Sequence, residues 1–234
     1  MRNTIFAGSL FLLLIVLASA MHHRNMQRPV RLDHIVWEQN RPRLIAQDSV
    51  NKLLTLVLSD SLNAFKSGLN LRNIEAVLNQ NDWVDQAQSY TLIDGSLGVQ
   101  ITTKLPIVRI EGDSNYYLDQ AGNPFPLSPF QAVSVPFFYG NPTSEQAKSL
   151  ISVVHQVQQD SFMNDHIVAY DWTAEGLAME PRNHEYAIVL GNEKQLSQKI
   201  NKYKIFYATM RDSVLIDSYK KINLSFHGQV VCSK

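Results

Sequence analysis

The sequence lacks the clustered residues that most enzymes and metalloproteins need. Its 234 residues contain a single cysteine, Cys232, which cannot close an internal disulfide bond, and no Cys/His spacing typical of a zinc site. No nucleophile turn of the G-x-S-x-G type is present. Lys and Arg total 21, as do Asp and Glu, and no run of one charge appears, which argues against a nucleic-acid ligand. We therefore expect no metal, no cofactor and a fold stabilised by packing alone.

Two short runs place titratable residues side by side, Asp165-His166 and His184-Glu185. Adjacent residues on a strand point to opposite faces of a sheet, so neither pair can act jointly without a distant third group. We predict that neither pair is catalytic and that the protein is not an enzyme.

One strongly apolar run lies near the start, from Ile5 to Ala20, with Arg2 as the charge ahead of it. Eighteen residues of helix span about 27 Å, close to the roughly 30 Å of a bilayer core. We predict a short cytoplasmic tail (1–4), a transmembrane signal-anchor (5–21) and an exported body. The alternative is a cleaved signal peptide, because Ala18-Ser19-Ala20 has the small-x-small form of a peptidase site, and cleavage would release a secreted periplasmic protein.

The first part of the body, residues 30–106, predicts a compact α+β unit. A strand at 30–37 precedes a helix with an apolar stripe at i, i+3, i+4 and i+7 over 48–58, and a second helix follows. Val84–Thr103 then predicts a hairpin around Asp94-Gly95, a dipeptide that supplies the positive φ angles of tight turns. This order of elements predicts helices packed on one face of a small sheet.

The remainder, residues 107–234, predicts a second α+β unit that is richer in strands. Thr143-Ser144-Glu145-Gln146 has the capping-box pattern that opens a helix. Several strand-like segments follow, and Asn192 is predicted to open a second helix. The end of the chain, from Tyr219 onwards, predicts one long strand with a bulge at Gly228.

Three pairs of segments carry a family resemblance: the helix-to-strand entry Leu71–Leu78 and Trp83–Ala87, the strands Gly95–Ile101 and Pro106–Ile110, and the tail segments Ile222–Phe226 and Gln229–Val231. In this order, behind one anchor, they resemble the bacterial cell-division family FtsQ/DivIB over residues 30–234. The chain departs from that family in its cytoplasmic tail, which is almost absent here, so the resemblance implies no cytoplasmic interaction.

The resemblance implies a bitopic, non-catalytic protein of the bacterial inner membrane at the division septum. Its N-terminus would be cytoplasmic, and a POTRA-like domain (30–106) and an FtsQ-type β domain (107–234) would lie outside the membrane. Such proteins are scaffolds that bind FtsB and FtsL and help control septal peptidoglycan synthesis. We therefore expect FtsB-like and FtsL-like partners, and weak self-association. The alternative is another POTRA-containing envelope assembly factor.

The resemblance also points to the end of the chain as a partner site, because the family receives FtsB there by β-addition. The predicted partner-binding residues are Tyr219, Ile222, Asn223, Leu224, Ser225, Phe226, His227, Gly228, Gln229, Val230 and Val231, with Lys199, Lys202 and Tyr203 as a second wall. Ile222, Leu224 and Phe226 are predicted to face the core. Asn223, Ser225 and His227 are predicted to face outward or toward the partner. The alternative is a strand that only closes the fold. The POTRA-like half is predicted either to bind a further protein at its sheet edge or to act as a spacer.

Overall fold

The structure is a computed structural model that describes residues 2–26, 31–60, 69–92, 94–192 and 194–234. The chain folds as two compact units, residues 1–104 with 129–131 and residues 105–128 with 132–234. Both units combine helices and strands, so the predicted α+β class is confirmed.

The first helix, α1, spans Arg2–Met26. The predicted anchor (5–21) lies partly outside the described residues, because side chains in this helix are described for Gly8 and for residues 10–25. Residues 10–17 form an unbroken apolar run whose side chains are each 46–67% exposed. Within the described part of the chain, no helix is both long enough and apolar enough to cross a membrane.

The other elements of the first unit are β1 (Leu32–Trp37), α2 (Gln47–Asp60), α3 (Leu71–Asn79), β2 (Val84–Thr91) and β3 (Leu97–Thr103). The strands form a sheet in the order β1-β3-β2, in which β1 is parallel and β2 antiparallel to β3. Apolar residues at helical and alternating spacing meet in one core: Val50, Leu54, Ile74, Leu78, Leu97, Val99 and Ile101.

The hairpin predicted between β2 and β3 is confirmed, but its turn differs from the prediction. Thr91 pairs with Leu97, so five residues form the loop rather than two. Gly95 has a φ of +90°, and Gly95 N donates to Leu92 O (3.0 Å). Asp94 Oδ1 accepts from Ser96 N (2.9 Å), an Asx-type contact that closes the wider turn.

The second unit is built from β4 (Val108–Glu111), β5 (Asn115–Leu118), β6 (Pro124–Pro126), β7 (Phe137–Tyr139), α4 (Ser144–Gln158), α5 (Ser161–His166), β8 (Ile167–Thr173), β9 (Gly176–Pro181), β10 (Ala187–Gly191), α6 (Leu196–Met210), a 3₁₀ turn (Ile216–Ser218), β11 (Lys221–Asn223) and β12 (Val231–Ser233). Nine strands form one sheet in the order β12-β11-β10-β9-β8-β7-β4-β5-β6. The sheet therefore has β12 at one edge and β6 at the other.

Helices α4 and α6 contact each other and share one core with the strands. The predicted capping box opens α4: Gln146 N donates to Thr143 Oγ1 (3.3 Å), and Thr143 N donates to Gln146 Oε1 (2.9 Å). Helix α6 begins at Leu196, later than predicted, because Gln195 adopts a left-handed φ of 56° just before it.

Candidate partner-binding edge

The long terminal strand predicted from Tyr219 is two short antiparallel strands, β11 and β12. The chain leaves the sheet after Asn223, whose Oδ1 accepts from Ser225 N (2.8 Å) and so starts an Asx turn. Gly228 then has a φ of +71°, so it is a turn residue and not the predicted bulge. A side-chain acceptor and a glycine thus interrupt an alternating pattern that looked continuous in the sequence.

Burial in this segment also differs from the simple alternation. Ile222 and Leu224 are fully buried, as predicted. The prediction for Phe226 is wrong, because the ring lies in the connecting loop and is 47% exposed. The prediction for Asn223 is also wrong, because its side chain is only 7% exposed and donates to Glu175 Oε2 (2.8 Å).

The other predicted residues of the segment lie on or near the surface. Residues 225 and 227–229, together with Val231, are exposed, and Tyr219 and Val230 are half-buried. The loop and β12 therefore present the accessible part of the predicted set, whereas β11 lies between β10 and β12 in the interior of the sheet.

The three α6 residues of the predicted second wall do not form an open surface. Lys199 is 6% exposed, Tyr203 is fully buried, and Lys202 is half-buried. The Lys199 ammonium donates to Leu190 O (2.8 Å) and to Asn192 O (2.6 Å), and burial lowers the pKa of Lys199. All three side chains form hydrogen bonds within the second unit instead of facing a partner.

Tyr203 belongs to a buried polar network that sequence reasoning missed. A 2.7 Å hydrogen bond joins its hydroxyl to His166 Nε2, and a 2.9 Å bond joins it to the Tyr186 hydroxyl. Burial, with the nearby His184, lowers the pKa of His166 to about 4, and burial raises the pKa of Tyr186 to about 12. His166 and Tyr186 lie 37 and 17 positions from Tyr203 in the chain, so no local signal pointed to the cluster.

The outer side of β12 is an open edge. Leu224 N donates to Val189 O (2.8 Å), so the amides of Ile222 and Leu224 face β10. Ile222 pairs with Cys232 on β12. Because the amide of Ile222 faces β10, this pair is of the non-hydrogen-bonded type, and the N–H and C=O of Cys232 point away from β11. Among the described residues no strand pairs with that side of β12.

The opposite edge of the same sheet is closed by prolines. Asp119 N donates to Asn123 O (3.1 Å), so these two residues form a hydrogen-bonded pair. Such pairs recur every second residue along an antiparallel ladder, so Tyr117 and Phe125 form the next one. The ring nitrogens of Pro124 and Pro126 therefore point outward, where they offer no N–H. Strand addition at β6 would lack its donors.

In the first unit, α3 closes the β2 edge with two side chains. Asn79 Oδ1 accepts from Ala87 N (2.7 Å), and Glu75 Oε1 accepts from Ser89 N (2.7 Å). These amides point away from β3, so they would otherwise be the free donors of an edge strand. The remaining edge of that sheet is β1.

The second unit also contains a cleft of about 660 Å³ beside α4, with Trp172, Leu177 and Leu190 in its lining. Within the described residues, no group of three His, Cys, Asp or Glu side chains could hold a metal ion.

Comparison with known proteins adds one finding. No curated protein matches the chain. A family model described as FtsQ/DivIB, C-terminal related, matches residues 105–233, which is more than half of the chain and corresponds to the second unit. Over residues 105–233 this match confirms the resemblance to the FtsQ/DivIB family that was drawn from the sequence, and it supports a role in cell division. The chain belongs to the FtsQ/DivIB C-terminal-related family.

Proposed function

We propose that this protein is a non-catalytic scaffold of the bacterial division apparatus. In this proposal its exported body binds FtsB-like and FtsL-like division proteins at the septum and so helps control septal peptidoglycan synthesis. The open edge of β12, within the unit that matches the family, is the observation that carries the proposal. Binding to it would shift the population of the active septal complex without chemistry on the scaffold.

The contrast between sheet edges supports β12 as the docking strand. Natural proteins close edges that should not pair, and both β6 and β2 carry such closures. The β12 edge carries none among the described residues, and the half-exposed Phe226 ring lies in the loop that leads to it. Main-chain hydrogen bonds would supply pairing, and exposed side chains such as Phe226 would supply selectivity.

The short length of β12 limits what the main chain alone can do. The strand spans Val231–Ser233, so Cys232 is its one residue with both backbone groups outward. Affinity must therefore also come from side chains and from local concentration.

We further propose that residues 5–21 anchor the protein in the inner membrane, with the N-terminus cytoplasmic. The unbroken exposed apolar run at 10–17 supports this, because a helix that is apolar on all sides suits lipid better than water. Anchoring scaffold and partners in one membrane raises their effective concentration and compensates for a small interface.

The test uses the full chain in detergent with the FtsB-like and FtsL-like proteins of its own organism. Cys232→Pro removes the outward donor of β12 and leaves the bonds of Val231 and Ser233 to β11 in place. We expect partner capture to be lost while hydrogen exchange in β10 stays as in the wild type. Val231→Pro is the contrasting variant, because it removes an inward donor and should loosen β12 itself.

Three outcomes decide the proposal. Capture by the wild type and loss in folded Cys232→Pro support docking at this edge. Capture that survives in Cys232→Pro removes the edge from the interface. No capture by the folded wild type refutes the assignment of these partners.

Carbonate extraction of cells tests the proposed anchor. An anchored protein stays in the membrane, whereas one released after Ala20 does not.

A further inference from the structure

Helix α6 places two lysine ammonium groups on the backbone at the ends of neighbouring strands. Lys199 and Lys202 are three residues apart and therefore share one face of the helix. Lys199 Nζ bonds the backbone at the end of β10, at Leu190 O (2.8 Å) and Asn192 O (2.6 Å). Lys202 Nζ bonds the loop between β11 and β12.

The contacts of Lys202 cover nearly the whole loop. Its ammonium donates to Leu224 O (2.8 Å), Phe226 O (2.6 Å) and Gln229 O (3.5 Å). The first acceptor lies one residue after β11, and the last lies two residues before β12. One cation thus binds both ends of the segment that connects the two strands.

Neither ammonium forms an ion pair with a carboxylate in the described part of the chain. An ammonium has three donors, and here each group directs them at neutral oxygens of its own fold. Hydrogen bonds from a charged donor are stronger than neutral ones. Lys202 is therefore committed to the loop rather than available to an approaching partner.

We propose that Lys202 is a positioning residue for the β12 edge, not a contact residue of the interface. Strand β12 has three residues and one neighbour, β11, so its own ladder supplies few bonds. The three hydrogen bonds from Lys202 to the loop, called here the clasp, hold the chain that enters β12. The bonds of Lys199 to the end of β10 fix the helix that carries Lys202. A preordered edge costs a partner less entropy on binding. This role in binding rests on the proposed function, whereas the clasp itself does not.

The first measurement is hydrogen exchange in the free full chain. Lys202→Met removes the ammonium and keeps an unbranched apolar side chain. We expect the amides of Val231 and Ser233 to exchange about tenfold faster or more, which corresponds to about 1.4 kcal/mol of local opening free energy. Amides in β9 and β10 should keep their wild-type rates.

Lys204→Met is the matched control on the same helix. The Lys204 ammonium bonds Asp160 Oδ2 at α5 instead of the loop, so its removal should leave β12 exchange unchanged. Lys202→Arg keeps a cationic donor and should restore part of the protection of β12. If Lys202→Met unfolds the whole second unit, Lys202→Gln, which keeps a neutral donor, replaces it in the same comparison. Unchanged exchange of β12 in the folded variant overturns the proposal.

The second measurement distinguishes positioning from contact, with the FtsB-like protein of the same organism as the probe. A positioning role predicts weaker binding by Lys202→Met with the same dependence of Kd on salt as the wild type. A direct contact predicts a smaller salt dependence and unchanged exchange in the free protein, and this result also overturns the proposal. If the wild type does not bind the probe, the proposed function fails, while the exchange result still decides whether the clasp exists.

Discussion

Replacing Tyr203 with Phe removes one hydroxyl from the buried network of the second unit. That hydroxyl is bonded to His166 Nε2 at 2.7 Å and to the Tyr186 hydroxyl at 2.9 Å. The ring of residue 203 is fully buried and would remain in place, so no large cavity forms. The substitution therefore isolates the cost of leaving two buried polar groups without their shared partner.

The expected cost follows from those two groups. A buried donor or acceptor that loses its partner costs about 1–3 kcal/mol, and one of the two can regain part of this by rotation. We expect Tyr203→Phe to lower the unfolding free energy of the second unit by about 2–4 kcal/mol. This is a large share of the roughly 5–15 kcal/mol that holds a typical domain folded.

The assay is urea-dependent hydrogen exchange of the full chain, read on peptides from β10 and α6. These peptides report the second unit separately from the first. Tyr207→Phe is the control on the same helix, because Tyr207 is half-buried and its hydroxyl has no hydrogen-bond partner among the described residues. We expect a change of less than about 0.5 kcal/mol there. A cost for Tyr203→Phe as small as that of the control would refute the importance of the network.

Two further predictions concern the same unit. Because burial holds the pKa of His166 at about 4, against about 6.5 unfolded, the unfolded chain binds the proton first. Stability should therefore be full above about pH 6.5 and fall by about 3 kcal/mol as the pH drops to about 4. Denaturation across this range should show the loss in wild type and not in His166→Phe. Phe226→Ala should cost less than about 1 kcal/mol, since the ring is 47% exposed, and Ile222→Ala about 2–5 kcal/mol. Equal melting shifts would contradict this placement.

Local patterns were sufficient to predict most of the elements. The capping box at Thr143 and the stripes of α2, α3 and α4 are set by residues within one or two turns of each other, so the sequence displays them directly. The β2–β3 hairpin is likewise local, although the turn around Asp94 is wider than the dipeptide suggested. Glu75 belongs to the α3 segment that carries the family resemblance, and the structure shows that its carboxylate closes the β2 edge.

The terminal segment could not be predicted in the same way. Its alternating apolar residues favour one strand, and the interruption depends on Asn223 turning its amide oxygen to Ser225 and on a lysine 22 residues before Leu224. Whether Phe226 lies in the core or in the loop depends on that turn. The buried tyrosines and histidine are also far apart in the sequence, at 17 and 37 residues from Tyr203, so only the assembled fold brings them together.

In the proposed function, the end of the chain binds a partner, and the edges of the two sheets support that choice. A fold with exposed edges must close those that should not pair, and here prolines close β6 while Glu75 and Asn79 close β2. Proline closure is permanent, because no N–H exists to be freed. The side-chain closure of β2 is reversible in principle, since a competing strand could displace a carboxylate. Among the residues that the structure describes, β12 has neither kind of closure, and Lys202 holds the loop that enters the strand. An edge that is held in place and left open is the arrangement that strand addition needs. Hydrogen exchange of the Val231 and Ser233 amides measures how firmly that edge is held.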